Sequence, residues 1–257
     1  MPFVPPTMPH PCQSPPEGPV LVVAPHPDDE LVGPGGALFK HSDQGDSISV
    51  VVVCDGTLGD PDQRFKKEGY KQVREAETSG VLRDFLNCED VTFFGFVDGV
   101  TEGNVDAIYP NLPPDPDDKR RVLVDGLATH LEAQIERVQP RVLYYPWSGE
   151  VHADHWACGE AVERLVANRP ELFAKTDVMG YEVWSTLVPE TILEITDVIE
   201  RKLEAIRRYE TQMSYVDLAE VVAGMNRYRA MLLPFDSNNS IRYAEVYSGR
   251  YTENPKA

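Results

Sequence analysis

Two short stretches of the chain bring together residue types that polarise and hydrolyse a bond. Ala24-Pro25-His26-Pro27-Asp28-Asp29-Glu30 sets an imidazole beside three carboxylates, and His152-Ala153-Asp154-His155 sets two imidazoles around another. Histidine nitrogens and carboxylate oxygens are donors that zinc takes from protein, and three of them leave a fourth tetrahedral position for water. The imidazole-rich donor set makes zinc the preferred ion, although one carboxylate among the ligands also admits another divalent metal such as iron(II) or cobalt. Read separately, each stretch is an ordinary helix start, because acidic residues cap helices and favour the positive end of the macrodipole. Taken together, at matching ends of two strands, they point to a metal centre.

The elements that must position them follow from hydrophobic patterning. Residues 19–24 and 47–54 are short Val-rich runs, suited to strands buried on both faces. Residues 35–44 read as a helix closed by Gly45, residues 65–86 as a second helix, and 91–94 as a third strand. Leu123, Leu127, Leu131, Ile135 and Val138 recur at helical spacing. A strand over 141–145 precedes a helix carrying Cys158, Val162 and Leu165 on one face. Residues 178–183 form another strand, Ile199, Leu203 and Ile206 mark another helix, and 242–247 alternate as an edge or antiparallel strand would. Strand–helix alternation in units of roughly 30 residues predicts an α/β single domain, a mostly parallel, doubly wound (Rossmann-like) sheet with helices on both faces. In such a sheet the residues after parallel strands gather at the carboxyl edge, where ligands bind. The two stretches can therefore face one another across one crevice.

Composition narrows the partners. The 257 residues include 24 Lys and Arg against 42 Asp and Glu, a net charge of −18. A surface that acidic repels phosphate backbones and anionic headgroups, so no nucleic-acid partner is expected. No apolar run reaches transmembrane length, and residues 1–19 lack the apolar stretch of a signal peptide, which predicts a cytoplasmic protein without integral membrane association. Cys12, Cys54, Cys88 and Cys158 lie far apart without CxxC spacing and read as reduced core thiols. Residues 1–19 hold eight prolines. Proline has no backbone donor, so 1–18 is expected to be a proline-rich disordered arm ahead of a domain over 19–257. A long loop over 99–118 is expected to overlie the carboxyl edge and to help select the substrate.

His-Pro-Asp-Asp-Glu after the first strand, with His-x-Asp-His after a later one, resembles the PIG-L/LmbE-like zinc-dependent N-deacetylases. Weaker matches extend the resemblance over most of 19–250: Arg74-Glu75-Ala76, Gly-x-x-Asp at 95–98 and Tyr243-Ala244-Glu245. The resemblance implies an enzyme, a hydrolase of linear amide C–N bonds that removes the N-acetyl group of a small GlcNAc-type amino sugar. It implies His26, Asp29 and His155 as zinc ligands and Asp28 as general base. It makes His152 the electrophilic partner of the carbonyl, positioned by Asp154, and gives Arg74 and Asp98 contacts with substrate. For Arg74 and Asp98 a surface ion pair is the competing reading.

The chemistry explains these types. Zinc lowers the pKa of its water toward about 7, and a carboxylate takes the proton as attack proceeds. The metal and a protonated His152 could both oppose the oxyanion, and either Asp28 or His152 then protonates the departing amine. Two positions depart from the family pattern: Ala153 replaces a common proline, and Glu150 stands where some members carry a tyrosine. Other readings are an amidase that cleaves a larger acyl group or a thiol conjugate with the same metal site, and a non-catalytic metal-stabilised binding protein. Asp28, which no ligand set needs, argues against the last, and a homo-oligomer is left open. Gly33-Pro34-Gly35-Gly36 lacks G-x-G-x-x-G, so no nicotinamide cofactor is expected. Asp55-Gly56 reads as a turn. His10, His41 and His130 read as solvated or capping groups, and Trp147 and Trp156 as core packing before sugar binding.

Overall fold

The computed structural model describes residues 8–65, 69–99, 116–235, 237 and 240–252. Its strands are β1 (His10–Cys12), β2 (Val20–Ala24), β3 (Ile48–Cys54), β4 (Asp90–Phe96), β5 (Val142–Pro146), β6 (Asp177–Tyr181), β7 (Thr191–Glu194) and β8 (Ala244–Tyr247). The helices used below are α1 (Asp29–Val32), α2 (Gly35–Gln44), α3 (Tyr70–Leu86), α4 (Pro116–Val138), α5 (Ala153–Asn168), α6 (Ile199–Ile206), α7 (Glu210–Met213) and α8 (Leu218–Arg229).

Every residue of β2 and β3 is buried, because both faces of the sheet are covered. Side chains alternate across a strand. Val20, Val22 and Ala24 accordingly pack with Leu38, Leu82 and Ile206 of α2, α3 and α6, whereas Leu21 and Val23 pack with Leu131, Ile135 and Val162 of α4 and α5. The leucine stripe read over 123–138 is the buried face of α4. Gly45 closes α2 at φ 78°, its N–H on the His41 and Ser42 carbonyls, a conformation that glycine adopts without strain.

The strand order is β1-β7-β8-β6-β5-β2-β3-β4. All pairs are parallel except those of β8 with β6 and β7. From β2 the chain runs outward through β3 and β4, then returns to the other side of β2 as β5. The direction of progression therefore reverses between β2 and β5, whose registers align Val20, Leu21 and Val22 with Val142, Leu143 and Tyr144. A reversal of this kind opens a crevice at the carboxyl ends of the two strands. No described helix is long and apolar enough to cross a membrane.

Several expectations need correction. Within the proline-rich stretch, His10–Cys12 pair with Thr191–Leu193 as a parallel edge strand. Proline is tolerated there because an edge strand needs donors on one side only; residues 1–7 lie outside the described residues. β8 is antiparallel but lies between β7 and β6, so it is no edge. β7 was not legible, its apolar run being only Ile192-Leu193. The second helix starts at Tyr70, after Gly69 at φ 89°. The expected loop over 99–118 falls outside the described residues except for Gly99 and the start of α4, where Pro116 opens the helix. His41 is fully buried, its Nδ1 2.7 Å from Asp46 and its Nε2 3.1 Å from the Tyr144 hydroxyl.

Candidate metal centre

Both donor segments leave the carboxyl edge at the reversal. After β2 the chain turns through Pro25–Pro27 and enters α1 by way of Asp28, at φ 115°. That backbone region is costly for a side chain with a Cβ and recurs at functional sites. The turn is held from within: Asp29 Oδ2 accepts from the His26 N–H at 2.9 Å, and Glu30 Oε2 accepts from the Asp28 N–H at 3.1 Å. The other Glu30 oxygen takes the buried Tyr209 hydroxyl. Burial pushes Glu30 up to about 7 against those hydrogen bonds. After β5, His152 caps α5, its Nδ1 accepting from the Asp154 N–H at 3.3 Å. A neutral His152 with that acceptor carries its proton on Nε2.

Three donor atoms converge between the segments. His26 Nδ1 lies 3.2 Å from Asp29 Oδ2 and 3.2 Å from His155 Nε2, and His155 Nε2 lies 3.1 Å from Asp29 Oδ2. Two donors on a tetrahedral zinc, each at about 2.0–2.1 Å, stand about 3.3 Å apart. The triangle fits such an ion in size and in donor chemistry. Its electrostatics fit as well. Burial opposes a charged His26, yet the Asp154 and Asp29 carboxylates overcome it and raise the imidazole well above its usual range. The field that stabilises a proton there would equally stabilise a divalent cation. Asp29 is held far below the usual carboxylate range: burial works against this, and the neighbouring His155 charge outweighs it. The buried His155 Nδ1 has no hydrogen-bond partner among the described residues.

The Asp154 carboxylate is not where the sequence reading put it. Its Oδ2 accepts from His26 Nε2 at 3.1 Å and from the Gly99 N–H at 3.0 Å. Its backbone N–H donates to His152 Nδ1, and its charge also bears on that ring. A carboxylate behind a ligating histidine fixes the tautomer and raises the basicity of the imidazole. The other predicted residues do gather here. His152 stands with its ring 5.0 Å from that of His26 and 4.9 Å from that of His155. Burial and the two neighbouring imidazoles lower its pKa. Asp28 is buried, and burial raises it well above the carboxylate range, while Arg74, 3.3 Å away, pulls the other way.

Arg74 is itself buried, donating to the Pro27 and Gly56 carbonyls, which rules out the surface ion pair. Asp98, also buried, accepts from the Gly56 and Leu58 N–H groups at 2.8 Å each and lies 3.8 Å from His26 Nε2. His26, Asp28, Asp29, Arg74, Asp98, His152 and Asp154 line a cavity of about 260 Å³. Asp55 makes the expected turn, accepting from Thr57.

Sequence reasoning missed three contributors. Glu30 was quoted in the motif but given no task. Glu150, noted only for not being tyrosine, is buried and accepts from the N–H groups of Val183, Trp184 and Ser185 at 2.7, 3.0 and 3.4 Å. Trp184, unmarked by any periodicity, lines the cavity with its ring 6.3 Å from that of His152.

Comparison with known proteins places this arrangement. The family model PIG-L, described as GlcNAc-PI de-N-acetylase, matches residues 21–166. A probable N-acetyl-alpha-D-glucosaminyl L-malate deacetylase 2 of Bacillus cereus is 31% identical over 206 residues, covering 75% of this chain and 83% of that protein. N,N'-diacetylchitobiose deacetylase from Pyrococcus horikoshii superposes with TM-score 0.65 at 24% identity, over 90% of this chain and 83% of the other. The 4-carboxy-2-hydroxymuconate hydratase GalB of Pseudomonas putida shares the fold too, at TM-score 0.63 and 25% identity, over 91% and 98%. Matched over more than half of its length, through both donor segments, the chain belongs to the PIG-L (GlcNAc-PI de-N-acetylase) family.

Proposed function

We propose that the chain is a metal-dependent hydrolase, zinc for preference, that removes the N-acetyl group from an amino-sugar substrate. The observation that carries this is the triangle of His26 Nδ1, Asp29 Oδ2 and His155 Nε2, with Asp28 and His152 beside it in one cavity. A divalent ion in the triangle would acidify a water molecule and place positive charge opposite the acyl oxygen. Asp28 takes the proton of the attacking water. Its Oδ2 faces Arg74, and burial raises its pKa, which makes it a stronger proton acceptor. His152 Nε2–H donates to the acyl oxygen as it gains charge. The water oxygen bonds to the acyl carbon, the C–N bond breaks, and Asp28 passes its proton to the departing nitrogen, leaving acetate and a free amino sugar. Arg74 and Asp98 hold the walls, and Asp98 also fixes the turn at Gly56. Four free cysteines support a reducing compartment, the cytoplasm.

The test is a panel of N-acetylated amino sugars and their longer-chain N-acyl analogues, assayed for released amine with zinc added back to chelator-treated protein. Metal-dependent release of one acetate per amine is the expected result. Amine release from longer acyl groups alone would make the chain a wider amidase. Stoichiometric zinc without any amine release would overturn the hydrolase reading.

A further inference from the structure

Trp184 is an exposed tryptophan on a clamped loop. It is 65% exposed, although its backbone is among the most firmly held at the site. Glu150 ties down the N–H groups of residues 183–185. Ser185 adds two further ties, its hydroxyl accepting from the Val151 N–H at 2.8 Å and its carbonyl from Trp147 Nε1 at 3.0 Å. Large exposed aromatics held rigid lose little entropy on binding, and indole offers a flat apolar face with a polar edge. The indole lies 24° from parallel to the His152 ring, directly beside the reacting group proposed above. Leu58, Val216 and Leu218 continue the apolar lining.

The charge of the cavity limits what can lie against that wall. Asp28, Asp29, Asp98 and Asp154 line it, and among its described lining residues Arg74 is the one Lys or Arg. Arg74 is already engaged by Asp28 and two carbonyls. Apart from the ion proposed for the triangle, whose charge the four carboxylates offset, an anionic substituent on the amino sugar would find no described cation left for it.

We propose that Trp184 forms an acceptor subsite for a neutral ring joined glycosidically to the amino sugar. The proposal rests on the amino-sugar deacetylase reading and specifies its substrate as a neutral glycoside with an apolar ring face. Stacking on the indole holds that ring while His152 meets the acetamide.

The test compares N-acetylglucosamine, its phenyl glycoside and its malate glycoside with wild type, Trp184→Ala and Trp184→Phe, reading kcat and KM from released acetate. Wild type is expected to favour the phenyl glycoside. Trp184→Ala should lower the ratio of kcat/KM between phenyl glycoside and free sugar about tenfold, through KM, and Trp184→Phe should restore most of it. An unchanged ratio, an equal loss of kcat on both substrates, or a wild-type preference for the malate glycoside would each overturn the proposal. Calorimetric binding of the phenyl glycoside separates this from the deacetylase reading. If nothing is turned over, that reading fails, yet binding that is weakened in Trp184→Ala upholds the subsite and binding that is not refutes it.

Discussion

Replacing Asp154 by Asn separates two jobs that one carboxylate could have. The side chain is 3% exposed and its Oδ2 serves His26 Nε2 and the Gly99 N–H together. Asn keeps the size and one acceptor oxygen but gives up the charge that steadies the His26 imidazole. Removing a carboxylate partner of a ligating histidine weakens metal affinity about 10–100-fold, which is about 1.4–2.7 kcal/mol. At saturating metal the turnover of Asp154→Asn should therefore stay well above that of a variant lacking the general base. Competition against a chromogenic chelator gives the affinity, and acetate release with excess zinc gives kcat. Metal affinity within twofold of wild type, combined with a kcat more than about 100-fold lower, would refute the reasoning and return Asp154 to the support of His152.

Asp28→Asn should cost about 10²–10⁴-fold in kcat while zinc stays near one per chain, whereas Asp29→Asn should lose zinc; near-normal turnover of Asp28→Asn would sink the assigned base. Lys202→Met should destabilise the fold by about 3–5 kcal/mol in urea unfolding, because fully buried Lys202 neutralises Glu245 at 2.7 Å while Glu245 caps Gly36 and Ala37. A loss below about 1 kcal/mol would contradict that assignment. Glu194 is held down at about 2, chiefly by its hydrogen bond to Arg242. A depressed carboxylate contributes stability above its unfolded pKa and loses it as pH falls through the folded one. The stability gap between wild type and Glu194→Gln should thus narrow as pH drops from about 5 toward 3, and a constant gap in urea titrations would show the contact to be neutral.

What the sequence could disclose follows from the range of each signal. The Val-rich runs of β2 and β3 and the leucine stripe of α4 are local patterns set by burial, so their elements were legible. The reversal between β2 and β5 was legible at one remove, since strand–helix alternation dictates where loops gather. Asp154 marks the limit. Its place at the start of α5 was readable, but whether its carboxylate turns to His152 or to His26 depends on packing across the crevice. Glu150 and Trp184 were hidden for a related reason: the segment 183–185 has no periodicity, and its conformation comes from a carboxylate more than thirty positions away. His41 looked like a surface group because nothing nearby in sequence announces the Tyr144 hydroxyl. β1 and β7 are too short to carry a pattern; β1 gains its structure from β7, far along the chain, and β7 lies between β1 and β8.

His26 and His155 approach to 3.2 Å from positions 129 apart, so the site is a product of long-range pairing. The two donors meet where β5 pairs with β2. Contacts of such long separation form late, because the entropy of closing the intervening loops must be met first. An unfolded chain offers a metal only scattered single donors, with Asp29 near His26 as the sole local pair of the triangle. A metal that needs all three donors would thus load onto an already assembled sheet. An ion held there would bridge β2 and β5 at their carboxyl ends, lengthening the life of the folded state by slowing its opening and leaving the rate of its formation as it was.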